Sequence, residues 1–96
     1  MPLYTFVANY GPGTYLDQRE AGAVQEAVHV YARENDFSFL TSLSADDRQM
    51  LKTALLTSSV VAAGALKNVW SCMVHVQRDL FLLHIVLGTE SEQNAT

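Results

Sequence analysis

Ninety-six residues, 49% of them apolar, with ten acidic and six basic residues and a net charge of −4, describe one folded domain rather than a disordered chain. The basic residues (Arg19, Arg33, Arg48, Lys52, Lys67, Arg78) stand singly, which argues against the clustered cations of a nucleic-acid-binding surface. The longest apolar run, Leu80–Leu87, is broken by His84 and falls far short of the ~20 residues of a membrane-spanning helix.

Cys72 is the single cysteine, so no internal disulfide can form, as suits a reducing compartment. Met1–Tyr10 has no basic segment followed by an apolar core. No leader is therefore expected, and a cytoplasmic location is.

Leu3–Tyr10 alternates, with Tyr4, Phe6, Ala8 and Tyr10 on one side and Leu3, Thr5, Val7 and Asn9 on the other. Its aromatic and β-branched content predicts a strand. Gly11-Pro12-Gly13 reverses the chain, and Thr14–Arg19 returns as a second strand. Tyr15 would face Tyr10 if Pro12 and Gly13 are the turn pair.

The period changes over Ala21–Glu34, where Val24, Ala27, Val28 and Tyr31 share a helical stripe and Gln25, His29 and Arg33 lie elsewhere. Asn35-Asp36 ends this helix. Phe37–Leu43 is a connector pinned by Phe37, Phe39, Leu40 and Leu43. Ser44, followed by Asp46 and Asp47, predicts an N-cap with acids at the positive end of a second helix. Met50, Leu51, Ala54 and Leu55 form its expected buried stripe. Thr57-Ser58-Ser59 weakens it, and Val60–Ala63 reads as a last turn or a short extended piece that Gly64 closes.

Val69–Val76 and Leu80–Leu87 form a hairpin apolar on both faces. Trp70, Cys72, Val74 and Val76 share one face with Phe81, Leu83, Ile85 and Leu87, assigned to the core. The other face carries Val69, Ser71, Met73 and His75 beside Leu80, Leu82, His84 and Val86. Half-buried strands alternate apolar with polar, and these barely do. The second face therefore needs a cover. Three are open: the second helix or Val60–Ala63 of the same chain, a second copy packing sheet on sheet, or a different protein. Val69, Met73, His75, Leu80, Leu82, His84 and Val86 are the candidate interface.

The fold class is α+β, in the order ββααββ. An antiparallel sheet of about four strands carries two helices on one face. The domain spans 1–88, with a polar tail over 89–96.

Candidate chemistry is thin. Cys72 and His75 are three apart in a strand and point to opposite faces, so unless a bulge intervenes they cannot converge on a metal or act as a nucleophile and base. His75 and His84 share a face. They are diagonal neighbours if the turn is Arg78-Asp79 and well separated if it is Gln77-Arg78. Such a pair, buried at an interface, would make association sensitive to pH. No P-loop, dinucleotide-binding glycine pattern, paired-cysteine motif or nucleophile elbow occurs. No catalytic residue, cofactor or metal is expected.

Three resemblances bear on function. Met1-Pro2-Leu3-Tyr4 resembles the start of 4-oxalocrotonate-tautomerase-type proteins, which would make Pro2 an N-terminal general base, although there one strand runs straight into a helix. Tyr4-Thr5-Phe6-Val7, Gly13–Gln18 and Leu66–Cys72 are similar to a group of short bacterial proteins of uncharacterised function, which implies a bacterial single-domain protein. The opening hairpin and alanine-rich helix resemble HicB-type antitoxins, without a second DNA-binding domain. The leading expectation is a homodimeric binding or structural module. The alternatives are an antitoxin-like regulator that occupies a partner protein and a tautomerase-like enzyme using Pro2.

Overall fold

The computed structural model describes residues 1–64 and 66–88. The expected alternation of the first strand is realised in β1 (Leu3–Tyr10), whose even-numbered residues are buried and whose odd-numbered ones are half-exposed. Gly11 and Pro12 form the two-residue loop to β2 (Gly13–Glu20), because Tyr10 pairs with Gly13. Gly11 has φ 57, and proline holds its own φ negative. That is the sign pattern of the type II′ turn, which suits the twist of a hairpin. Tyr15 accordingly stands opposite Ala8, not Tyr10.

Helix α1 spans Val24–Glu34 and buries Ala27, Val28, Tyr31 and Ala32. No side chain caps it at Ala23, but Glu26 reaches back to accept from Gly22 N, one residue ahead of the N-cap, at 2.9 Å. Helix α2 spans Ala45–Thr57 and begins as expected, with Ser44 Oγ accepting from Asp47 N at 3.1 Å. Its buried stripe is narrower than the periodicity suggests. Leu51 and Leu55 are buried, Ala54 is half-buried, and Met50 is 59% exposed. Gln25 of α1 ends the segment. Its Nε2 donates to Ser58 O at 2.9 Å, and its Oε1 accepts from Val60 N at 3.4 Å.

The chain then leaves α2 as an extended piece, the second of the two readings of Val60–Ala63. Val61–Ala62 form β3, two residues that pair with Ser71 and Trp70. β4 (Val69–Val76) and β5 (Asp79–Gly88) follow, joined by Gln77-Arg78. Gln77 has φ 58 at the first loop position, the counterpart of Gly11.

The sheet is antiparallel with five strands in the order β2-β1-β5-β4-β3, one more than expected because β3 joins it. The chain is α+β with its buried helix residues and the buried sheet residues in one core. Aromatic rings dominate that core. Phe6 stacks on Tyr31 at 4.5 Å, and Phe37 meets Tyr31 and Phe81 edge-on at 5.8 and 6.0 Å. Phe37 is fully buried at φ 57, a conformation that costs a side-chain-bearing residue about 1–2 kcal/mol. Asn35 Oδ1 accepts from Phe37 N at 3.1 Å and helps hold it there. The polar tail expected over 89–96 lies outside the described residues.

Candidate functional site: the open sheet face

Every buried or partly buried member of the core that comes from the sheet belongs to one face: Tyr4, Phe6, Ala8, Tyr10, Tyr15, Trp70, Cys72, Val74, Val76, Phe81, Leu83, Ile85 and Leu87. None comes from the other. α2 packs into the core through Leu51 and Leu55, and Val61–Ala62 extend the sheet sideways. Neither of the expected intrachain covers lies over the second face among the described residues.

Strand register turns that face into a grid. Its middle row reads Leu16, Val7, His84, Ser71, Val61 across the five strands. One flanking row holds Gln18, Thr5, Val86 and Val69, the other Thr14, Asn9, Leu82 and Met73, and Leu80 lies beside His75 beyond. All seven expected interface residues (Val69, Met73, His75, Leu80, Leu82, His84, Val86) therefore share one surface. Val86 is 37% exposed and Met73 63%.

Leu3, Val7 and Leu16 from the first hairpin and Val61 from β3 enlarge it, with Leu16 exposed to 72% and Val61 to 63%. The signal for Leu3 and Val7 was their place opposite the aromatic side of β1. What was missing was the neighbour of that strand.

The face is almost uncharged. Among the described strand residues, Glu20 at one corner is its sole lysine, arginine, aspartate or glutamate. Its polar groups pair with each other: Thr14 Oγ1 donates to Asn9 Oδ1 at 2.7 Å, and Gln18 Nε2 donates to Thr5 Oγ1 at 3.0 Å. Sheet faces that meet water usually alternate and carry charge.

The two histidines are well separated, the second of the two outcomes that the turn left open. With Gln77-Arg78 as the loop, His84 faces Ser71 and His75 faces Leu80. Four residues of strand, ~13 Å, lie between Ser71 and His75. His84 sits in the middle row of the central strand, and His75 sits by the turn.

Cys72 is buried on the core face, away from His75. Burial pushes its thiol above the usual value, with a hydrogen bond to the Ser58 hydroxyl opposing that shift. Among the described residues no three histidine, cysteine or carboxylate side chains are placed to hold a metal ion. Pro2 lies just ahead of β1, and its carbonyl accepts from Ala21 N at 3.2 Å. That strand lies inside the sheet, between β2 and β5.

A cavity of about 420 Å³ opens beside β2 on the core side, lined by Tyr15, Asp17, Arg19, Tyr31, Asn35 and Phe39 among others. Its charges are matched internally. Arg19 Nη1 donates to Asp17 Oδ1 at 2.8 Å, and Arg19 Nε lies 3.1 Å from Glu34 Oε1, out of hydrogen-bond alignment.

Among the described residues no helix is long and apolar enough to cross a membrane. No protein-family model, curated protein or solved structure matches the chain.

Proposed function

We propose that this chain is a binding or structural module that associates with a second copy of itself through the open sheet face. The observation that carries this reading is the absence of that face from the core, combined with its apolar, nearly uncharged surface. Four long strands spaced ~4.8 Å and about 25 Å long, with the two-residue β3 beside them, give a footprint of ~500 Å² per copy. Two copies would bury on the order of 1,000 Å², about the minimum for a specific protein contact. A second copy brings an equally uncharged face, so closure strands no lysine or carboxylate pair in a dry interface. A chain this short also leaves much of its surface unburied, and association supplies the missing burial.

The test is the solution mass of the full chain beside Leu82→Glu and Met73→Glu. Either glutamate, if buried at the contact, weakens association by at least ~100-fold and leaves a folded smaller species. A Leu82→Glu protein that associates as tightly as wild type would overturn the reading. So would a wild-type chain that is monomeric alone and assembles only with a different protein, the outcome that favours the antitoxin-like alternative.

A further inference from the structure

We propose that the sheet carries a second self-association site, the free edge of β4, which pairs antiparallel with the β4 edge of another copy. This inference rests on main-chain groups and stands independently of the face contact.

Successive residues of an antiparallel strand turn their N–H and C=O groups alternately to the two neighbours. In β4 the phase is set by two hydrogen bonds of 2.9 Å. Leu87 N donates to Asn68 O on the β5 side, and Ala63 N donates to Val69 O on the β3 side. Val69, Ser71, Met73 and His75 therefore aim their main-chain groups away from β5. β3 has two residues and pairs only with Trp70 and Ser71. Among the described residues, the N–H and C=O of both Met73 and His75 are left without a strand partner. The stretch Cys72–Val76 contains no lysine, arginine, proline or carboxylate, the devices that ordinarily keep an edge from pairing.

The opposite edge is protected around Gln18. In β2 the outward main-chain groups of Gln18 are occupied by its own neighbours. Asp17 Oδ1 accepts from Gln18 N at 2.8 Å, and Arg19 Nη1 donates to Gln18 O at 2.9 Å. Asp17 and Arg19 also place charge on the inward face of that edge strand, and Glu20 adds another on the outward face.

This asymmetry selects the occupant. Pairing β2 of one copy with β4 of the next would be head-to-tail and would grow an open filament. The occupied main chain of Gln18 and the charges of Asp17, Arg19 and Glu20 oppose that route over the second half of β2, although the outward main-chain groups of Thr14 and Leu16 carry no such guard. Pairing β4 with β4 is isologous and closes after two copies. β3 on one side and the Gln77-Arg78 turn on the other bound the ladder to a few residues around Met73 and His75, so the contact is short and self-limiting.

Proline supplies the test, because an edge strand tolerates it where the lost N–H has no ladder partner. The full chain is compared with His75→Ala and His75→Pro by sedimentation velocity, with circular dichroism to verify folding. The expected result is that His75→Ala keeps the wild-type mass and His75→Pro halves it. A folded His75→Pro protein with the mass of His75→Ala overturns the proposal.

Amide exchange on the wild-type chain decides the matter if the proline variant does not fold. Met73 and His75 amides protected at high concentration and released on dilution support edge pairing; fast exchange at every concentration overturns it. Leu82→Glu reports on the face alone. If it leaves the mass unchanged while His75→Pro lowers it, the edge stands and the face reading falls.

Discussion

Val7 on β1 stands directly opposite His84 on β5, so the two hairpins meet along the middle of the open face. The candidate surface is thus shared by both ends of the described chain. Val7→Glu is expected to weaken self-association by at least ~100-fold, as Leu82→Glu does, because both place a charge near the centre of the contact. Leu16→Glu, at the outer end of the same row, should cost only about 3–10-fold, since rim positions stay wet. Equilibrium sedimentation of the two variants ranks them. Equal effects would place the contact elsewhere.

Phe37 links α1, its own connector and β5 through three ring contacts, to Tyr31, Phe39 and Phe81. Phe37→Ala should cost about 3–5 kcal/mol, the usual loss for a buried phenylalanine. Asn35→Ala, which removes only the acceptor for Phe37 N, should cost about 1 kcal/mol. Urea unfolding gives both numbers.

Ser44→Ala removes the cap on α2 and should lower stability by about 1 kcal/mol, while Ser44→Asp should retain most of it. Neither change touches the open face, so solution mass should not move. Urea midpoints measured beside mass separate folding from association.

Burial holds the Tyr31 phenol above its ordinary value of 10.0, with Asp17 adding to that shift and Arg19 opposing it. Tyr4 and Tyr10 are raised in the same direction, first by burial and then by nearby carboxylates. A raised phenol means that the folded state resists ionisation. Its stabilising share is fully present below pH 10 and is lost as pH rises through the folded value. The protein should therefore lose stability progressively above pH 10. Tyr31→Phe should flatten that slope. Thermal melts at pH 8, 10 and 11 test the slope. Parallel curves for both proteins would show that Tyr31 does not set it.

Local chemistry was legible in the chain. The alternation of Tyr4, Phe6, Ala8 and Tyr10, the Ser44 cap and the two-faced hairpin of β4 and β5 all depend on residues close in sequence, and each is present. Met50 was misplaced because a helical stripe marks a sector and not a depth. The neighbours that bury Leu51 and Leu55 do not extend over it. β3 was ambiguous because two residues carry no period, and its assignment waited on Gln25, distant in sequence, binding Ser58 O and Val60 N.

Pattern alone established an α+β chain with one strand pair too apolar for a single core, since side-chain direction in a strand follows from its neighbours in sequence. Packing decided what those faces meet. It placed β1 beside β5, separated His75 from His84 through a one-residue choice of turn, enlarged the open face with Val7, Leu16 and Val61, guarded β2 at Gln18 and, among the described residues, left Met73 and His75 of β4 without a strand partner. Those outcomes turn on hydrogen bonds between segments far apart in the chain, where cross-strand register, not local propensity, sets which groups are satisfied and which remain open to a partner.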